Sequence, residues 1–137
     1  MLFRISSHDL PRIQMKLQTV VAKINIRTKT STKRIAELIL RDSQTVPPTV
    51  PRDTGDLEST GRVEGTPQGH AVVYGGKAGS SGKFVDYAEF VHDDLRDRKY
   101  KRPGSGPKFV ETHVLRRFDE MKTVMSADLQ QFLNEEF

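Results

Sequence analysis

Pro47-Pro48-Thr49-Val50-Pro51-Arg52-Asp53-Thr54-Gly55-Asp56-Leu57 divides the chain into two kinds of structure. Its prolines end any helix arriving from the N-terminal side. Each locks its own φ and pushes the residue before it towards extended geometry. The chain must cross a surface here as a stiff connector. It then turns at Asp53-Thr54-Gly55-Asp56, where Asp53 can bond backbone amides two residues on and Gly55 permits positive φ.

Upstream, the apolar positions are Leu10, Ile13, Leu17, Val20, Val21 and Ile24, which is the spacing of one helical face. Asp9 and Pro11 suit a helix start. The same phase continues through Thr28 and Ser31 to Ile35, Leu38 and Ile39, so the stripe turns polar in its middle without losing register. One long helix over about residues 9–44 or two helices meeting near 25–32 would both fit, and the unbroken phase favours one. Residues 2–5 read as a short strand.

Downstream, residues 57–64 read as a strand interrupted by Gly61. Thr66-Pro67-Gln68-Gly69 matches a type I turn, and residues 70–75 form the returning strand. Ala71 and Val73 share one face, Val72 and Tyr74 the other. A lone hairpin is marginal in water, so it must pack on the long helix. Residues 75–83, rich in Gly and Ser, predict a flexible loop. Phe84, Tyr87, Ala88, Val91 and Leu95 predict a short helix, and residues 96–106 a second polar loop. From Pro107 a helix is expected to about Leu133, with Val110, Val114, Phe118, Met121, Met125, Leu129 and Phe132 on its face. Glu135 and Glu136 oppose the helix dipole at its end. The expectation is α+β: a long N-terminal amphipathic helix and a C-terminal helix on a small antiparallel sheet, in a single domain over residues 1–137.

With 35% hydrophobic and 29% charged residues, the chain can form a core, but a small one. It therefore gains if subunits bury surface against each other. A net charge of +4 permits an anionic partner without naming one. The absence of cysteine excludes disulfides and thiolate metal sites. No apolar run approaches the roughly 18 residues of a membrane span, and the polar turn after Met1-Leu2-Phe3-Arg4 gives no readable signal peptide.

Candidate chemistry is sparse. Residues 75–83 superficially suggest a phosphate-binding loop, but Phe84 follows Gly82-Lys83 where Ser or Thr is needed, and Lys77 stands where the first glycine belongs. His92-Asp93-Asp94 has no second ligand cluster, and adjacent residues do not share a helix face. Asp53 and Asp56 read as turn formers, and Ser80 and Ser81 as linker residues without a base. No catalytic, cofactor or metal residue is predicted. The basic loop is more informative. Arg96, Arg98, Lys99, Lys101, Arg102 and Lys108 face only Asp97 among acids between residues 96 and 108. Together with Lys77 and Lys83 these are candidates for contact with DNA phosphates or with an acidic protein surface, against the plain alternative of a solvated loop.

Four pieces recur in a meaningful order: residues 51–57, Val72-Val73-Tyr74-Gly75, Tyr87-Ala88-Glu89-Phe90-Val91-His92 and Pro107-Lys108-Phe109-Val110. With an amphipathic segment before and another after, the chain from about Asp9 onward resembles the tail-completion, or head–tail joining, proteins of long-tailed double-stranded-DNA bacteriophages. Pro51, Asp53, Thr54, Gly55, Leu57, Tyr74, Gly75, Tyr87, Ala88, Pro107 and Phe109 carry the match as fold signatures. The resemblance implies a non-enzymatic virion protein, assembled in the host bacterial cytoplasm. It would form a ring, a hexamer favoured, at the head–tail junction, between head-completion or connector proteins and the tail tube. Non-specific contact with packaged DNA is a further implied partner. It also implies that Tyr87, Phe90 and Phe109 anchor the helices to the sheet, and that residues 76–83 and 96–106 are docking arms. One departure stands out: Asp93-Asp94 and the basic loop replace a glycine-containing turn. Rival readings are a small basic nucleic-acid-binding protein, a head-proximal minor capsid or connector protein and, last, a small hydrolase or toxin-like enzyme.

Overall fold

The computed structural model describes residues 10–67 and 69–136. The expected strand at 2–5 and the Asp9 cap lie outside them. The protein is α+β, with a long N-terminal helix, a C-terminal helix and two small antiparallel sheets.

Helix α1 (Leu10–Thr45) is continuous over 36 residues, about 54 Å at the α-helical rise. The polar stretch in its middle is where the hairpin joins α5 against the helix. Ser31 is buried and donates to Asp128 at 2.5 Å, and Thr32 Oγ1 bonds His70 Nδ1 at 2.9 Å. Hydroxyls with partners can lie buried there. Val20, Ala36 and Ile39 are buried along α1, whereas Val21, assigned to the same face, is 55% exposed. Val21 sits on the flank of the stripe, which one facing helix does not cover. After Thr45 the connector is extended as expected. Thr49 N–H donates to Gly104 O and Val50 N–H to Ser43 O.

Residues 57–64 correct the expected strand. Asp56–Ser59 form a single helical turn, α2, entered through Gly55 at φ 88°. Asp56 N–H donates to Thr54 Oγ1, so Thr54 rather than Asp53 takes the turn's side-chain bond. The Thr60 hydroxyl donates to Leu57 O at 2.6 Å and accepts from Gly75 N–H at 2.9 Å, which ties the helical turn to the end of the hairpin. Strand β1 (Arg62–Thr66) then pairs with β2 (Gly69–Val73), in register from Arg62↔Val73 to Thr66↔Gly69. The hairpin lies on α1, as its marginal stability demands. Gly61 is explained by its neighbour: a Cβ there would lie 2.7 Å from the Tyr74 ring.

The segment expected as a flexible loop is partly a second ribbon. Strands β3 (Gly76–Lys77) and β4 (Phe84–Val85) pair antiparallel, closed by Ala78 N–H to Lys83 O. Helix α3 (Ala88–Asp93) follows. The C-terminal helix begins later than Pro107, because Lys108 takes φ 56°, a conformation no helix interior contains. It runs as α4 (Glu111–Arg116) and α5 (Phe118–Glu136), with a turn at Arg117. At that turn Arg117 Nε reaches the Asp42 carboxylate on α1, with Arg116 on the same oxygen at 3.3 Å. Phe118, placed on the buried face by periodicity, is 51% exposed and Leu129 43%, while Phe132 is 4% exposed.

The core sits among the connectors rather than inside the sheet. Val50, Leu57, Ala78, Val85 and Phe109 are buried together, with Tyr74, Ala88, Val91 and Val110 packed around them. Phe109 meets Tyr74 edge-on at 5.3 Å and His92 at 5.0 Å. It is the anchor that was expected. Tyr87 and Phe90 are not, because both are substantially exposed. Helix α3 turns its small and branched side chains, Ala88 and Val91, to the core and its aromatics outward.

Candidate functional site

The outward aromatics line a cleft of about 510 Å³. Residues 51–57 form one wall. Tyr87, Phe90 and Val91 form the second, and residues 98–101 of the basic loop close the rim. The extended connector positions the first wall, and α3 the second. The basic loop crosses as a strap, tied at both ends. At one end Asp94 is buried, accepts from Arg96 at 2.8 and 3.0 Å and forms an ion pair with Arg98 at 2.8 Å. At the other, Arg102 donates to Glu58 at 3.0 Å and to Gln44 O at 2.5 Å, beside a parallel bridge between Thr49 and Ser105. Between them Lys101 pairs with Asp53 across the cleft.

This geometry changes the meaning of the basic run. Six cations crowd residues 96–108 in sequence, but in space most already face a carboxylate. Lys108 lies 2.8 Å from Asp93 and 3.2 Å from Glu111. Among the described residues, Lys99 alone of the six has no carboxylate at ion-pair distance. The Arg96 hydrogen bond holds the Asp94 carboxyl down at about 2, aided by the charges of Arg96 and Arg98. The Lys108 bond, with His92 behind it, likewise holds Asp93 below the usual carboxylate range, and the same contact raises Lys108.

Asp56 anchors the second loop. Its Oδ1 accepts from Ser81 Oγ at 2.7 Å and Ser80 Oγ at 3.0 Å, and these bonds lower its pKa. The two serines read as linker residues are therefore the clasp that folds residues 78–82 over α2. Asp56 forms a turn and also anchors this loop. Burial raises the Tyr87 phenol, as do the carboxylates of Asp56, Asp53 and Asp86.

Of the fold-signature residues, Pro51, Asp53, Thr54, Gly55, Leu57 and Tyr87 meet at the cleft. Tyr74, Ala88 and Phe109 lie beneath it in the core. Gly75 is the φ 108° corner after β2 that brings β3 back, and Pro107 precedes the turn at Lys108. Of the candidate contact residues, Arg98, Lys99 and Lys101 line the cleft. Lys77, Lys83, Arg96 and Arg102 do not, and Arg102 is turned inward. Sequence reasoning passed over Arg52, which lines the cleft and pairs with Glu58 at 3.4 Å, and Tyr100, whose hydroxyl is buried without a partner. The signal for Arg52 was its place inside the best-marked motif.

The hydroxyls of Ser80 and Ser81 donate to a carboxylate that is itself held low, whereas a general base works best with a pKa near the operating pH. Among the described residues, no cluster of three or more His, Asp or Glu side chains is placed to hold a metal, and no helix is long and apolar enough to cross a membrane. Comparisons of the chain with protein-family models, with curated proteins and with solved structures gave no match.

Proposed function

We propose that this chain is a structural subunit of a bacteriophage particle, one of several copies in a ring at the head–tail junction, six favoured. In this role it joins the tail to the DNA-filled head, between a connector or head-completion protein and the tail tube, and performs no catalysis. One observation supports the reading above the others. The four sequence pieces that carry the resemblance are far apart in the chain yet converge on one core and the cleft above it. Such convergence is expected of fold signatures and is not required of four accidental matches. The exposed apolar side chains Met15, Val21 and Ile26 on α1, Leu115 on α4 and Phe118 on α5 give subunits surface to bury. A ring needs a heterologous contact that repeats until it closes.

Contact of the strap with packaged DNA is the weaker reading. Phosphate binding draws on cations free to release counterions, and most of these are already paired. The decisive measurement is the mass of the purified 15.5 kDa chain across a concentration series, by native mass spectrometry and light scattering. A closed oligomer of defined number is the expected result. A monomer at every concentration, coupled with normal head–tail joining in a phage lacking the gene, would overturn the proposal.

A further inference from the structure

We infer that the cleft between the 51–57 turn, α3 and the strap is a docking site for an acidic peptide segment carrying an aromatic or large aliphatic side chain. Its volume of about 510 Å³ holds a few side chains, and it falls in the usual range of roughly 300–1,000 Å³ for binding clefts. Its ionisable lining is four basic side chains, Arg52, Arg98, Lys99 and Lys101, against Asp53 and Asp56. Both carboxylates are satisfied within the protein, Asp53 by Lys101 and Asp56 by two serine hydroxyls. Three of the four cations are paired as well, Lys101 with Asp53, Arg52 with Glu58 and Arg98 with Asp94, so the charge the cleft offers is that of Lys99, which among the described residues has no carboxylate at ion-pair distance.

The apolar half is built from Phe90, 59% exposed, and Tyr87, 42% exposed. The Arg96 and Arg98 guanidiniums lie 5.6 and 6.0 Å from the Phe90 ring centre, which holds positive charge at the edge of the aromatic shelf. Exposed Tyr, Phe and Arg in one concavity is the composition of an interface centre. Tyr100 adds a hydroxyl that finds no acceptor in the free protein. A small shift of the strap onto an occupant would give it one.

A peptide fits this cleft better than a nucleic acid. A phosphate backbone gains affinity from several unpaired cations along a track, and of the four cations lining the cleft Lys99 alone has no carboxylate at ion-pair distance among the described residues. A carboxylate side chain needs just one or two donors, and its apolar neighbour takes the shelf. The inference is separate from the ring: a chain that never multimerises can still bind the peptide, and a ring can close with the cleft empty.

The test is a titration followed by backbone amide NMR. The probe is the end-capped synthetic peptide Glu-Phe-Glu-Leu-Asp-Phe-Glu. Its controls are the same peptide with every acid replaced by lysine, and a short single-stranded oligothymidylate. The expected result is saturable shifts confined to residues 53–56, 87–91 and 98–101, with affinity falling about tenfold or more in Phe90→Ala and in Lys99→Glu. Both side chains are exposed, and the spectral dispersion of each variant reports whether its fold is kept. Four results would each overturn the inference. These are no shifts with the acidic peptide, equal binding of the lysine peptide, displacement of the peptide by the oligonucleotide, or movement of the same residues on dilution alone, which would mark the cleft as a contact between copies.

Discussion

The two halves of α1 share one helical phase but are held in different ways. From Ser31 to Thr45 the helix lies against the hairpin, α4 and the first part of α5 together. Ala36, Ile39, Asp42 and Ser43 are buried there, and the Ser43 hydroxyl bonds the Tyr74 phenol at 2.6 Å. From Met15 to Thr30 its partner is α5. Among the described residues of that stretch Val20 is the buried apolar side chain, and the contact is laced by Lys23–Glu136 at 2.8 Å and Arg27–Glu135 at 3.0 Å. Met15, Val21 and Ile26 remain 55–68% exposed. An apolar stripe shows which side of a helix seeks a partner; how firmly it is held depends on how many elements arrive to cover it. Two helices cover each other along one seam, whereas a helix, a hairpin and folded connectors enclose a core.

That contrast can be broken most severely at Phe109. Phe109→Ala empties the centre of the connector core and should cost about 3–5 kcal/mol by denaturant unfolding, enough to threaten the whole fold. A loss below about 1 kcal/mol would mean that the core is not where stability resides.

Asp42, at 1% exposure, clasps α1 to the α4–α5 turn through Arg116 and Arg117. Burial alone would raise its carboxyl, but the Arg117 bond and the two guanidinium charges outweigh burial and hold it low. Asp42→Ala should cost about 2–3 kcal/mol. That is less than a fully buried pair would lose, because both arginines reach solvent. Unfolding followed at α5 and at the hairpin separately would reveal whether the clasp unites the two regions.

Acid should act more gently, through Asp94 at the end of the strap. With Asp94 at about 2 in the folded protein and near 3.9 when unfolded, protonation favours unfolding. Its contribution is complete above about pH 4 and is lost as pH falls towards 2. Asp94→Asn should therefore be less stable than wild type at neutral pH and converge with it near pH 2. A constant difference across that window would contradict this assignment.

The smallest effect is expected in the helical pair. Lys23→Ala removes an exposed ion pair and should cost less than about 1 kcal/mol, an effect that shrinks further in salt. A larger, salt-insensitive loss would make the N-terminal half of α1 as firmly held as the rest.

Much of the architecture was legible beforehand. Strict phase marked α1, three prolines marked its end, and turn chemistry marked the β1–β2 hairpin. What misled was chemistry that local pattern does not encode. Residues 57–59 read as the start of a strand because Leu57 and the residues after Gly61 alternate, yet hydroxyls at Thr54, Ser59 and Thr60 satisfy the backbone of a helical turn. Tyr87 and Phe90 looked like anchors because aromatics usually are. Ala88 and Val91 took the core positions instead, where Phe109 already fills the space.

The amino-acid order by itself determined where the long helix must stop, where the chain must turn, and that the class is α+β, because those follow from φ limits, periodicity and capping within a few residues. Only the tertiary structure decided that a run of six cations is largely neutralised, that two linker serines clasp Asp56, and that four scattered motifs share one core and cleft. Charge pairing and burial depend on distances between residues up to 113 positions apart, and no local pattern in the chain specifies those distances.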